Sequence, residues 1–201
     1  MTGALLVLAS ASPRRRALLE SLGIPFTGFP PKADETIPRG SEPATVVQQI
    51  AERKVDAYLG SPNAKRTAYV LGVDTEVYID GALQGKPANA DDAAKMLRRL
   101  SGRSHIVYTG LVVRNPSDQR LHHTESTRVH FASLSDEQVR SYAATGEPLD
   151  KAGGYGIQGQ GAVLVEHIEG DHSNVVGLPL RPALRLLTRA GFPLPPHLRV
   201  T

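Results

Sequence analysis

The sequence predicts a mixed α/β or α+β single domain, and three observations carry that prediction. Short apolar runs rich in Val, Leu and Ile alternate along the chain with segments of helical apolar periodicity. Gly, Pro, Asn and Asp punctuate the junctions between them. No internal repeat and no long linker interrupts the 201 residues, so residues 1–201 read as one domain with room for two lobes.

The elements follow in order. Leu5–Leu8 reads as a buried strand that runs straight into Ser10-Ala11-Ser12-Pro13. Ser12 suits a helix N-cap and Pro13 a first helical residue; Ala17, Leu18 and Leu22 form the apolar stripe and Gly23 the stop. Residues 25–40 read as loop, with four Pro and the acidic pair Asp34-Glu35. A second helix begins near Ser41-Glu42-Pro43 and runs to about Leu59. Tyr69–Ile79 reads as a strand with Val73, Thr75, Val77 and Ile79 on one face and Asp74 and Glu76 on the other. Asp80-Gly81 signals a two-residue hairpin. A third helix spans about Ala90–Leu100, with Gly102 beyond it, and Ile106–Val113 and Thr124–Phe131 are strand-like. Ser135 and Gln138 form a capping box for a helix ending at Gly146. Residues 152–161 hold five Gly, then come a strand-like Ala162–Ile168, a last helix over about Leu180–Ala190 and an extended Pro-rich tail.

Composition narrows the function classes. With 40% hydrophobic and 21% charged residues, the chain can bury a core and is not disordered. It contains no Cys, which excludes disulfides, thiolate zinc sites and a Cys nucleophile. The opening MTGALLVLASASPRRR has its charges after the apolar run, the reverse of a secretory signal, and no stretch approaches 18 apolar residues. A cytoplasmic protein without a membrane partner is the expectation. The net charge of +3 is unevenly placed: residues 1–70 carry 9 basic and 6 acidic side chains, residues 71–140 carry 9 of each, and residues 141–201 carry 5 of each. A local anion site fits that distribution better than a nucleic-acid surface, and 6 Tyr, 4 Phe and no Trp leave little for base stacking.

Four places carry candidate chemistry. Ser10-Ala11-Ser12-Pro13-Arg14-Arg15-Arg16 puts three cations in a helix first turn, where the macrodipole disfavours them. Guanidinium forks there suit a phosphate; a solvated basic patch is the competing reading. Lys54 lies centrally on the inward stripe of the second helix, four residues from Ile50 and from Tyr58. It either snorkels to solvent or meets an anion. Asp74 interrupts an apolar strand; it faces solvent at a sheet edge, or it is aimed inward as a base or metal ligand. The loop Asp150–Gly159 allows close backbone approach to a ligand, and Gln158 can read a base edge; a flexible surface turn is the alternative. His122-His123 lacks metal-ligand spacing, and no metal site is expected there.

Several of these segments together resemble the Maf family of nucleoside triphosphate pyrophosphatases, also called septum formation inhibitors. They are Ala9-Ser10-Ala11-Ser12-Pro13-Arg14-Arg15, Gly72-Val73-Asp74-Thr75, Gly85-Lys86-Pro87, the MLRRLSG stretch ending at Gly102, Gly146–Gly153, Tyr155-Gly156-Ile157-Gln158-Gly159 and Asn174–Pro179. They occur in order from about residue 5 to residue 190. The resemblance implies an elongated, bilobed α/β fold similar to inosine triphosphate pyrophosphatases, with a central cleft, a homodimer, and Mg²⁺ or, as an alternative, Mn²⁺. It implies hydrolysis of a nucleoside triphosphate to the monophosphate and pyrophosphate, and Arg14, Thr75 and Gln158 resemble the branch that prefers dTTP and UTP. By that similarity Asp74 accepts the proton of the attacking water. Arg14, Thr75 and Gln158 select the base, and Ser10, Arg15, Glu35, Lys54 and Lys86 line the phosphate and metal site. Val73 stands where small residues are common, and Glu76 where an apolar residue is usual, which adds a carboxylate to the strand face of Asp74. The rival reading is a nucleotide-binding regulator of cell division without turnover.

Overall fold

A computed structural model describes residues 4–36 and 41–200. The last four residues of the loop expected over 25–40 lie outside the described residues. In chain order the elements are β1 (Leu6–Ala9), α1 (Pro13–Ser21), β2 (Thr27–Phe29), α2 (Pro43–Leu59), β3 (Tyr69–Ile79), β4 (Ala82–Gln84) and α3 (Ala90–Leu100). These are followed by β5 (Ser104–Arg114), β6 (Arg120–Phe131), α4 (Asp136–Ala144), β7 (Val165–Glu169), α5 (His172–Val176) and α6 (Leu180–Arg189), with short 3-10 turns between and after the later elements. The fold is mixed α/β: a seven-stranded sheet in the order β2-β1-β3-β5-β6-β7, with β4 paired to β3. The pairings of β1 with β2 and β3 are parallel, whereas β3–β4 and β6–β7 are antiparallel.

Two expectations needed correction. Within the stretch read as loop, Thr27–Phe29 forms an edge strand in parallel register with Val7–Ala9. Three residues between prolines carry too little alternation to announce a strand, and β1 supplies the pairing. The strand expected to begin at Ala162 begins at Val165, because residues 159–164 wind into a 3-10 helix. The local signals elsewhere held. Ser12 caps α1, accepting from the Arg15 amide at 3.5 Å, and Ser135 with Gln138 makes a complete capping box. Asp80 and Gly81, at φ 53° and 75°, are both left-handed, as a type I′ hairpin turn requires.

The chain divides into two compact units: residues 1–74, 109–125 and 177–201 in the first, and residues 75–108 and 126–176 in the second. In the first unit two apolar clusters bury β1 and the start of β3 from either side. One brings Leu6, Leu8 and Leu71 against α1 and α6; the other brings Val7, Val70 and Val112 against α2. Helix α2 lies unusually close to the sheet, because Gly72 and Gly110 leave no side chain in its way. A Cβ on Gly72 would collide with the Ala51 carbonyl, and one on Gly110 with the Val47 carbonyl. The second unit has a single core of α3, α4 and the strand residues Val77, Ile79, Val107, Val129 and Phe131.

Candidate active site

The close seating of α2 decides what happens to Lys54. Its neighbour Val55 packs over Gly72, so Lys54 descends onto the next two residues of β3. Its Nζ lies 2.6 Å from Asp74 Oδ1, 2.8 Å from Glu35 Oε1 and 3.5 Å from the Val73 carbonyl. Lys54 and Asp74 are only 6% and 5% exposed, so Lys54 does not snorkel and Asp74 does not face solvent. The β1 pairing of β3 ends at Gly72 and the β4 pairing begins at Val77, so it is the burial of Asp74 that removes the solvent-facing edge explanation. A carboxylate and an ammonium this deep are held by mutual attraction, and removing Lys54 leaves the Asp74 charge uncompensated, whereas Lys54 keeps Glu35 if Asp74 is removed. The pairing uses one carboxylate oxygen; Asp74 Oδ2 is buried with no hydrogen-bond partner. A buried acceptor without a donor is costly, and it is the arrangement a base needs if water or a cation is to meet it.

The three arginines of the α1 turn have different fates. Arg15 is buried: its Nε donates to the Gly177 carbonyl at 2.8 Å, and its Nη1 donates at 3.0 Å both to Ser10 Oγ and to the Val73 carbonyl. Arg15 therefore ties the α1 turn to β3 one residue before Asp74, and to the start of the segment that leads into α6. Ser10, also buried, accepts from the Ser12 amide at 3.2 Å and so shapes the same turn. Arg16 lies across Gly28 of β2, where any side chain would displace its guanidinium. Arg14 is half-buried and lies in the first turn of the helix, whose amides begin there. Of the candidates read from the sequence, the first unit thus brings together Ser10, Arg15, Glu35, Lys54 and Asp74, with Arg14 on the same turn.

The remaining candidates belong to the second unit. Thr75 and Glu76, both half-buried, follow Asp74 along β3, and Lys86 is exposed after β4. Gln158 is exposed in the glycine-rich loop. The Gly153 amide donates to the Gly85 carbonyl at 3.1 Å, which joins the base of that loop to the turn that presents Lys86.

The glycine-rich loop is framed by residues that the sequence reading did not assign a role. Tyr142 Oη donates to Glu147 Oε1 at 3.0 Å and accepts from the Gly156 amide at 3.1 Å. Glu147 accepts from the Gln160 and Gly161 amides, each at 3.1 Å. Burial opposes the Glu147 charge, but these amides, the Tyr142 hydroxyl and Lys151 outweigh it and hold the carboxyl below its usual range. Burial raises the Tyr142 hydroxyl, which stays protonated to donate. On the inner side His105 and Tyr155 share a 2.6 Å hydrogen bond, with Phe131 edge-on to both rings. Burial, helped by the charge of His130, lowers His105 to about 4, so it is neutral near pH 7. The loop is anchored, not a slack surface turn. Glu147 and Tyr155 stood inside the quoted motifs, but only folding shows what they bind.

The Maf-like protein family model matches residues 5–190 of this chain. A dTTP/UTP pyrophosphatase of Symbiobacterium thermophilum is 48% identical over 193 residues, covering 94% of this chain and 95% of that protein. One from Moorella thermoacetica is 50% identical over 187 residues, covering 92% and 95%. Among solved structures, the Ham1 protein of Staphylococcus aureus is similar at a TM-score of 0.42 and 13% identity, covering 80% of this chain and 79% of that chain. The family match and the identities agree over nearly the whole length, and this chain belongs to the Maf family.

Proposed function

We propose that the chain is a nucleoside triphosphate pyrophosphatase that converts dTTP and UTP to the monophosphate and pyrophosphate. The observation that carries this reading is Asp74, a buried carboxylate with Oδ1 fixed by Lys54 and Oδ2 without a partner. The names borne by relatives near half identity support the substrate class.

Each residue then has a physical task. Asp74 Oδ2 takes a proton from a water whose oxygen attacks the α-phosphorus. The bond from that phosphorus to the bridging oxygen of the β-phosphate breaks, and pyrophosphate departs with the bonding pair. Lys54 holds Asp74 in one orientation and offsets its charge and that of Glu35, while Arg14 and Lys86 balance the triphosphate. Arg15, already committed to Ser10 and the Val73 carbonyl, fixes the α1 turn relative to Asp74. Arg14, Thr75 and Gln158 select the pyrimidine base, Gln158 by donating and accepting together. Glu35 and Asp74 offer oxygen donors alone, which suits a hard divalent cation, Mg²⁺ or else Mn²⁺, and Glu35 would hold it together with phosphate oxygens. Such a cation, when bound, neutralises charge on the phosphate oxygens.

The test is pyrophosphate release from dTTP, UTP, CTP and 7-methyl-GTP with Mg²⁺, for the wild type and Asp74→Asn. We expect dTTP and UTP to lead, and the variant to lose about 10²–10⁴-fold in turnover while still binding nucleotide. Undiminished turnover in Asp74→Asn removes the base assignment, and tight binding without turnover in the wild type makes the chain a nucleotide-binding regulator.

A further inference from the structure

We propose that His130, His167 and Glu169 form a second site, for a divalent transition-metal ion of the zinc class, on the solvent-facing side of the β6–β7 pair. None of the three has a task in the hydrolysis described above, and the proposal does not depend on it.

The antiparallel register places His130 directly opposite His167 and Arg128 directly opposite Glu169. Residues two apart share a strand face, so all four side chains rise from the same side. One ligand atom from each of His130, His167 and Glu169 lies within 4.8 Å of the other two. The imidazoles stack, centroids 3.9 Å apart and 13° from parallel, and His130 Nε2 is 3.0 Å from Glu169 Oε1. A tetrahedral ion with bonds of about 2.0–2.1 Å separates its ligand atoms by about 3.3 Å. The three atoms are already within reach of one ion, and the nearly parallel rings must splay for their nitrogen lone pairs to converge on it. A β-bulge adjoins the pair, with Phe131 opposite Val165, so Glu166 is an extra residue that twists β7 beside the histidines.

The surroundings orient the ligands as metal sites do. Ser104 Oγ is 2.8 Å from His130 Nδ1, which turns Nε2 toward the cluster. Arg128 Nε is 3.7 Å from Glu169 Oε2, leaving Oε1 to face His130. His130 is half-buried while His167 and Glu169 are exposed, so an ion can enter from solvent and complete its shell with water. Two imidazoles and one carboxylate select Zn²⁺, Co²⁺, Ni²⁺ or Cu²⁺ over Mg²⁺, the opposite preference to the oxygen donors of Glu35 and Asp74. Bound there, the ion would pin β7, the last strand of the sheet order, to β6.

The experiment is a titration of the full chain with Zn²⁺ in excess Mg²⁺, for the wild type, His167→Gln and Ser104→Ala. We expect one Zn²⁺ equivalent that raises Tm in the wild type and binds about 10-fold more weakly in Ser104→Ala, with a larger loss in His167→Gln. Folding of His167→Gln is checked by its unchanged circular dichroism and its unchanged metal-free Tm. With Cu²⁺ as probe, electron paramagnetic resonance should show two coordinating nitrogens in the wild type and one in His167→Gln. Absence of Zn²⁺ binding overturns the proposal, as does equal affinity in wild type and His167→Gln; the three residues are then a plain ion-paired patch.

Discussion

The α1 turn with its Lys54–Asp74 pair and the glycine-rich loop with its Tyr142–Glu147 frame solve the same problem in opposite ways. Both fix backbone and polar groups in place. In the first unit the groups are charged and, apart from the exposed Glu35, buried, and they hold one another: Lys54 between Asp74 and Glu35, Arg15 on Ser10 and two carbonyls. In the second, one carboxylate and one phenol hold neutral amides, and the exposed end of the loop carries Gln158. Burial strengthens each electrostatic contact in the first region and makes each loss expensive. The second region is cheaper to disturb. The Lys54–Asp74 charges lie where the dielectric is low, whereas the loop is a neutral backbone braced from behind.

Perturbing each region separately tests that contrast, and the largest effect should come from Lys54→Met. It strands the Asp74 carboxylate and should cost about 3–5 kcal/mol in urea unfolding, together with activity. Adding Asp74→Asn should restore much of that stability without restoring turnover; strictly additive losses would mean that the pair is not coupled.

The second effect is pH-dependent and arises behind the glycine-rich loop. His105 is held neutral at a folded value of about 4 against an ordinary value of 6.5. The unfolded chain therefore binds the extra proton first as pH falls. Stability should be complete above pH 6.5, fall between pH 6.5 and about 4, and level off below. The contribution from this group is about 3 kcal/mol. His105→Gln should flatten that window in unfolding curves taken between pH 4 and 7; an unaltered slope would assign it to other groups.

The smallest effect is expected from Glu147→Gln, which weakens charge-assisted bonds to the loop amides and should cost about 1.5–3 kcal/mol at most. Its informative readout is selectivity. The ratio of kcat/KM for dTTP over CTP should fall more than kcat for dTTP itself; an equal fall in both would place Glu147 in general stability alone.

Much of this molecule was legible in the residue order, for local reasons. Ser12-Pro13 announced a helix start, Asp80-Gly81 a tight hairpin, and Ser135 with Gln138 a capping box, because each depends on atoms only two to four positions apart. The charged candidates were legible as anomalies: cations in a helix first turn, a Lys on an apolar stripe, an Asp inside a strand. Thr27–Phe29 was not legible as a strand, since its partner β1 lies across a helix in sequence and its own three residues show no pattern.

By itself the sequence determined the element order, the mixed fold class and a shortlist of residues whose positions violate ordinary propensity. Tertiary structure decided where each of them lies and what it touches. It set Lys54 on Asp74 because Gly72 and Gly110 let α2 come close, and it spent Arg15 on bracing the α1 turn. It also brought His130 opposite His167, which lie 37 positions apart in the chain, through a strand register no local pattern records. The physical reason is range: propensity and capping act over a turn of backbone, whereas burial and charge pairing exist only once distant segments share one interior.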